Sequence, residues 1–397
     1  MNIVYVTGLF AQNQFSEVLG GMPKAVYNHA RAMKERGNNV RILSAGACNK
    51  IWHYKGIEIW TVYADNDLSL DTGHLFFNIL YRELRIKNAI KKMHSEQHID
   101  IIQYTGWFGV GLLHNRRIPA IMRISSYTKG QLAGNYFPRK VRLLSILEVL
   151  AARRMEYVFA PSNIMANAMK KDLKKDVQVI ETPYFRENVI EKDDIYCKYC
   201  QEKKYFLFFG RMSKDKGIYV IRDIIYELLD KYKEYYFVFA GSYDKSSGSN
   251  IKIDITDAAA EFSNRIIFIG NIKHELLFPV IRRASAVIMP SIKDNLPNGC
   301  AESMSLKTIV IGTYDSSIEQ FITDGVSGLL SKPDSSRDLL STIDRFMNMD
   351  EIQKQNMKNE AIKKLDSLNS DDYFDKLEII YHNLVNSKAL KNHLGKK

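Results

Sequence analysis

Short apolar runs bounded by glycine, proline or serine recur along this chain, and most of them are continuous rather than alternating. In the first half they are NIVYVTG (2–8), NVRILSAG (39–46), GIEIWTVY (56–63), IDIIQYTG (99–106), PAIMRISS (119–126), YVFAPS (157–162) and VQVIETPY (177–184). The second half repeats the plan with YFLFFGR (205–211), YFVFAGS (236–242), RIIFIGN (265–271), SAVIMPS (285–291) and TIVIGTY (308–314). A run that is apolar on every residue fits a parallel strand covered on both faces. The segments between have helical period: in PKAVYNHARAMKERG, Val26, Ala30 and Met33 stand at i, i+4 and i+7, Pro23 suits a first turn and Gly37 the position past the end. The pattern predicts two doubly wound α/β domains, 1–185 and 186–372, joined near Thr182-Pro183 and the charged segment 186–204. From about Asp372 the chain turns helical again with Tyr373, Leu377 and Ile380 on one face, so a C-terminal helix at about 373–390 is free to pack back on the first domain.

With 397 residues, 46 % of them apolar, the chain can fill two or three cores of ordinary size. No apolar run approaches the ~18 to 20 residues that span a bilayer, and MNIVYVTGLF lacks the basic start and cleavage site of a secretion signal, so a cytoplasmic location is expected. Four cysteines are too few for a disulfide framework. Cys197 and Cys200 form a CxxC with no second CxxC or HxxxH beside it, and a coincidental pair in a lysine-rich connector is the simpler reading. Charge is uneven: residues 1–186 carry 26 Lys+Arg against 14 Asp+Glu, whereas residues 187–397 carry 30 against 31. The basic excess points to an anionic surface or partner for the first half. A nucleic-acid binder fits poorly, because the basic stretches lack interleaved aromatics and a recognition motif.

Three stretches carry candidate chemistry. SIKDNLPNGCAESMSLKTIVIGTYDSSIEQFITDGVSGLL (291–330) follows an apolar run and places Asp294 and Glu302 eight residues apart, where a strand feeding a loop and then a helix would set both carboxylates at the mouth of a parallel sheet. GRMSKDKG (210–217) follows a strand and precedes a helical run. Arg211 and Lys216 there offer a fixed guanidinium and a flexible ammonium beside a helix N-terminus, a suitable reception for a diphosphate; on spacing alone, two solvated loop charges are the simpler reading. Gly20 and Gly21 precede a helix starting near Met22, where backbone N–H groups could approach a phosphate with no side chain in the way. This is neither a GxGxxG fingerprint nor a P-loop, so a dinucleotide or ATP-hydrolysis role has no motif behind it.

Taken together, GGMPKAVYNHARAMKERGNNV (20–40), FFGRMSKDKG (208–217) and the 291–330 stretch resemble, in order and spacing, the retaining GT-B glycosyltransferases of family 4. The resemblance covers nearly the whole chain, most strongly 205–335. It implies two doubly wound Rossmann-like domains facing across a cleft, the first on the acceptor side and the second binding a nucleotide-sugar donor. In that family a Glu, seven residues and a second Glu mark the donor site. Here the pair is Asp294 and Glu302, and the usual Gly-Phe-Gly after the first acid is replaced by Asn295-Leu296-Pro297. The resemblance implies that Glu302 accepts hydrogen bonds from the two ribose hydroxyls, and that Asp294 with the backbone from Asn295 to Asn298 holds the sugar hydroxyls. It further implies that Arg211 and Lys216 neutralise the diphosphate in place of a divalent metal. No DxD cluster and no His/Cys set with metal spacing is present, so neither a metal nor another cofactor is expected.

The first domain is less explicit. Where family members often carry a His after the fifth strand, this chain reads MRISSYTKG, leaving Arg123, Ser125 and Ser126 as candidate acceptor or sugar contacts. His29, beside Asn28, is expected to be a packed or solvated residue rather than a base. No carboxylate nucleophile stands out, which favours front-face departure, the leaving phosphate helping to deprotonate the acceptor. The expected function is transfer of a hexose from a nucleotide diphosphate sugar, UDP favoured over GDP, to a lipid-linked or soluble glycan in bacterial surface polysaccharide assembly. A GT-B epimerase or phosphorylase is the alternative. Basic clusters at Arg82, Arg85, Lys87, Lys91 and Lys92, at Arg139, Lys140 and Arg142, and at Lys170, Lys171, Lys174 and Lys175 suggest peripheral docking on the anionic inner face of the cell membrane. Ile86, Ile90, Leu143 and Leu144 are candidates for shallow insertion.

Overall fold

The structure, a computed structural model, describes residues 1–11, 21–64, 71–129, 138–186, 189–243, 250–294, 298–368 and 370–394. Two compact units emerge: Met1–Thr182 with Ser370–Lys397, and Pro183–Asn369.

The first unit is built on β1 (Asn2–Thr7), α1 (Gly21–Glu35), β2 (Asn39–Gly46), β3 (Lys50–Tyr54), β4 (Ile57–Tyr63), α2 (Thr72–Glu96), β5 (Ile101–Thr105), β6 (Ala120–Arg123), α3 (Arg139–Ala152), β7 (Tyr157–Ala160), α4 (Asn163–Leu173) and β8 (Gln178–Val179). Its sheet runs β3-β4-β2-β1-β5-β6-β7-β8, parallel throughout except for the β3–β4 pair. That pair is a hairpin: Lys55 (φ 46°) and Gly56 (φ 80°) both sit at positive φ, as a tight turn matched to strand twist requires. The run at 177–184 yields only the two-residue β8. Pro23 lies in the first turn of α1 and Gly37, at φ 83°, follows its end. On α2, Arg82 is not the surface cation expected from the sequence. It is buried beside Glu83 and donates to the Phe108 carbonyl at 2.6 Å, because its place on the helix turns it inward. Ile86, Ile90 and Leu144 are likewise buried, so none of them is available for insertion; Leu143 is half-buried.

The second unit contains α5 (Asp194–Tyr199), β9 (Lys204–Phe209), α6 (Ile218–Lys231), β10 (Tyr235–Ala240), α7 (Ile251–Ala258), β11 (Ile266–Gly270), α8 (His274–Arg282), β12 (Ala286–Ile288), α9 (Asn298–Ser305), β13 (Val310–Thr313), β14 (Leu329–Ser331), α10 (Ser336–Met347) and α11 (Glu351–Ser367). The all-parallel order β11-β10-β9-β12-β13-β14 is the doubly wound arrangement, and it reverses direction between β9 and β12. Alternation explains the continuous apolar runs. Phe206, Phe208, Phe237 and Phe239 enter one core, while Tyr205, Leu207, Val238 and Ala240 enter another across the sheet.

The chain then returns to the first unit as α12 (Ser370–Leu394). Its inward face is Tyr373, Phe374, Leu377 and Tyr381; Ile380, expected there, is half-buried. The Tyr373 hydroxyl meets His29 Nε2 at 3.1 Å, and the Tyr381 hydroxyl donates to Gln103 Oε1. At the end of α1, Arg36 faces Asp371, Asp375 and Glu378, the last at 3.0 Å.

Candidate active site

Ligands of doubly wound sheets bind beyond the carboxyl ends of the strands where the order reverses. In the second unit, that point lies between the loops leaving β9 and β12. The β9 loop starts at Gly210 (φ 121°), whose N–H donates to the Ala240 carbonyl at 2.8 Å, and Met212 N–H donates to Ser242 O at 2.8 Å. Residues Lys214–Lys216 form a single 3-10 turn that ends at Gly217, φ 72°, before α6 begins. A Cβ on Gly217 would stand 1.8 Å from the Pro290 carbonyl oxygen, so only glycine lets the two loops approach this closely. Ile292 N–H then donates to the Asp215 carbonyl at 2.9 Å. This lacing brings Lys216 of one loop into an ion pair with Asp294 of the other. Arg211, about half exposed, is held by Asp215 at 3.0 Å.

The loop after β13 props the site from below. Thr313 donates its hydroxyl proton to Ser291 O, and Ser317 donates to Asp294 O. Gly312 makes room: a Cβ there would lie 2.4 Å from Ile318 Cγ2. Four residues beyond Asp294, α9 opens at Asn298, followed by Gly299, whose missing side chain accommodates Met289 and Phe209. Glu302 follows one turn later and is 7 % exposed. Its carboxylate has no hydrogen bond or ion pair among the described residues. Nearby, Tyr184 meets Ser305 Oγ at 3.4 Å. Burial raises the Tyr184 phenol, the Ser305 bond opposes that shift, and the Glu302 charge adds to it. A carboxylate at the mouth of a parallel sheet that no protein group engages is an acceptor open to donors.

Arg211, Lys216, Asp294, Asn298 and Glu302 therefore gather in one unit. Asp215, Thr313, Ser317 and Tyr184 support them without having been singled out by the sequence; Asp215, inside SKDKG, is the one that its loop motif could have flagged. Gly20, Asn295, Leu296 and Pro297 lie outside the described residues. Gly21 is the exposed first residue of α1, in the first unit. Arg123 ends β6 but turns inward: it donates to Thr182 Oγ1 at 2.6 Å and to Ser125, while its Nε has no partner among the described residues. Burial lowers its guanidinium, and the Tyr373 hydroxyl opposes that shift. Ser125 and Ser126 are half-buried. His29 is enclosed between Gln103, at 3.2 Å, and Tyr373; burial, with Arg123 nearby, holds its ring well below the usual imidazole range and neutral. Among the described residues, no group of three or more His, Cys, Asp or Glu side chains is disposed to hold a metal ion, and no helix is long and apolar enough to cross a membrane.

Residues 198–364 match the family described as glycosyl transferases group 1, and residues 19–184 the family described as Glycosyltransferase Family 4. An uncharacterized glycosyltransferase of Methanocaldococcus jannaschii is 20 % identical over 356 residues, 83 % of this chain and 86 % of the relative. Among solved structures, a sucrose-phosphate synthase from Thermosynechococcus elongatus superposes with a TM-score of 0.76 at 16 % identity, over 98 % of this chain and 100 % of its own. A UDP-forming α,α-trehalose-phosphate synthase from Burkholderia xenovorans gives 0.75 at 10 % identity, over 96 % and 100 %.

Proposed function

Since the chain belongs to the GT-B glycosyltransferases of family 4, we propose that it moves a hexosyl group from a nucleotide diphosphate sugar to a glycan acceptor, with retention at the anomeric carbon. The observation that carries this reading is the laced pair of loops at the sheet reversal, which sets Arg211, Lys216 and Asp294 together just ahead of the helix bearing Glu302. Asp294 is paired with Lys216. A diphosphate brings more negative charge than one carboxylate and draws the ammonium to itself, freeing Asp294 to accept a sugar hydroxyl alongside the 295–298 backbone. Glu302 takes the two ribose hydroxyls. As the bond from the anomeric carbon to the diphosphate oxygen breaks, its electron pair stays on that oxygen, where Arg211 and Lys216 stabilise it. The acceptor hydroxyl then bonds to the anomeric carbon on the same face, and its proton passes to the departing phosphate.

The two cations take the part that a divalent metal plays in other transferases. UDP is the favoured nucleotide; a synthase of this fold is described as UDP-forming. The acceptor is a glycan in bacterial surface polysaccharide synthesis, carried on a polyprenyl diphosphate at the inner face of the cell membrane. The basic excess of the first half supports that placement.

Purified protein with a panel of nucleotide sugars and glycan acceptors tests the reading through acceptor-dependent release of nucleoside diphosphate. Arg211→Ala and Lys216→Ala should each lower turnover by ~10² or more with the fold intact. Glu302→Ala should also weaken donor binding, because ribose is held in ground and transition states alike. Activity should persist in EDTA. Near-normal turnover in both cation variants, or conversion of the donor to an epimer without transfer, would overturn it.

A further inference from the structure

Six large apolar side chains on α2 and α3 are exposed: Phe76, Phe77, Tyr81 and Leu84 on the first helix, Ile146 and Leu150 on the second. Phe77 is 68 % exposed and Ile146 57 %. The two helices are fastened by a separate buried cluster of Leu75, Ile79, Leu144 and Leu147, and the six exposed side chains lie outside it. Cations predominate on this surface. Along α2, Glu83 is buried, while the exposed acids stand at its two ends, Asp71 at the cap beside His74 and Glu96 beside Lys92; between Arg139 and Arg154 the one acid is Glu148, which is buried. On α3 the outward line is Arg139, Arg142, Ile146, Leu150 and Arg153, cations bracketing apolar residues at helical spacing. Beneath Ile146 and Leu150 lies a groove of about 440 Å³. Arg142 and Arg153 stand at it, and the Ser145 hydroxyl on its wall is buried and unpartnered among the described residues. Its one acid, Asp172, is neutralised by Lys129 at 2.8 Å.

Exposed aromatic and branched side chains grouped with cations mark an interaction surface and fit the boundary between anionic headgroups and acyl chains. We propose that the outer faces of α2 and α3 dock on a bilayer bearing anionic lipids. Phe77, Tyr81, Ile146 and Leu150 enter the headgroup boundary, and Arg139, Arg142 and Arg153 meet lipid phosphates. This locates the membrane association proposed above and rests on it.

Sedimentation of the full chain with phosphatidylglycerol vesicles, against phosphatidylcholine vesicles and at low and high salt, tests the assignment. The chain should pellet with the anionic vesicles and be released by salt. Arg142→Ala and Arg153→Ala should each weaken binding about fivefold. Phe77→Ser with Ile146→Ser should weaken it about tenfold or more at low salt. All four positions are exposed, and circular dichroism checks the fold. Equal binding to neutral vesicles, no effect of these variants, or loss only in Lys170→Glu/Lys171→Glu on α4 would overturn it. Self-association abolished by the Phe77/Ile146 pair, without vesicle binding, would give the face to a second copy instead. Release of nucleoside diphosphate with a soluble acceptor reads the transfer chemistry separately: release without vesicle binding sinks the docking alone, and vesicle binding without release sinks the transfer alone.

Discussion

The ring of His114 is held neutral by two hydrogen bonds of opposite sense. Its Nε2–H donates to the Ile118 carbonyl at 3.0 Å, which leaves Nδ1 to accept from the Tyr104 hydroxyl, also at 3.0 Å. Burial pushes the imidazole down to about 4. Because the unfolded chain takes up this proton near pH 6.5 and the folded one does not, stability from His114 is present above about 6.5 and drains away as pH falls toward 4. Denaturant titrations at pH 7, 6, 5 and 4.5 should show the wild type losing up to about 3 kcal/mol relative to His114→Gln across that window; parallel pH profiles would remove His114 as the cause. Single residues were unevenly legible in the sequence. Asp294 and Glu302 could be singled out as candidates because their spacing lies within one loop and one helix. Tyr184, Thr313 and Ser317 could not, since only tertiary hydrogen bonds bring them to the site. Arg123 stood at a suggestive strand end, but nothing local in MRISS distinguishes a guanidinium turned to solvent from one turned toward Thr182 and Tyr373.

Among the elements, the turn at Gly217 carries the most consequence, because both its backbone and its missing side chain are required. Ala at φ 72° costs about 1–3 kcal/mol from the backbone alone, and its methyl would collide with Pro290 and part the loops that join Lys216 to Asp294. Gly217→Ala should therefore lower turnover by ~10² or more, as loss of Lys216 itself would. Gly37→Ala is the control: φ is 83°, nothing stands within 4 Å of the added methyl, and only a modest loss of melting temperature with unchanged turnover is expected. Equal kinetics in the two variants would discount the lacing. The strands were legible because β9 and β10 are apolar on both faces. Two were missed for physical reasons. β3 alternates exposed Lys50, Ile51 and His53 with buried Trp52 and Tyr54 at a sheet edge, and β14 is three residues long.

At the scale of the whole molecule, α12 belongs to the unit that the chain left at Thr182. Tyr373, Phe374, Leu377 and Tyr381 bury themselves there, and at about 1.5–3 kcal/mol for each fully buried side chain their sum rivals the stability of an ordinary domain. Ending the chain after residue 369 should leave the first unit unfolded or aggregated, while the Pro183–Asn369 unit stays protected in hydrogen exchange; equal protection of both units would show α12 to be dispensable. The two-unit plan was legible from the repeated strand–helix pattern, and the returning helix from its apolar period. Its partners His29, Gln103 and Arg36 were not, because their contacts span more than 270 residues of sequence. That returning helix also fixes an order of events on the ribosome. The first unit is translated, and then waits on the order of ten seconds or more while an entire second unit emerges, before the residues that close it exist. Throughout that interval Tyr5, His29 and Gln103 lack the tyrosines that will cover them, so the nascent first unit is a natural client for a chaperone. A prematurely terminated message therefore releases no half-enzyme with a finished first unit.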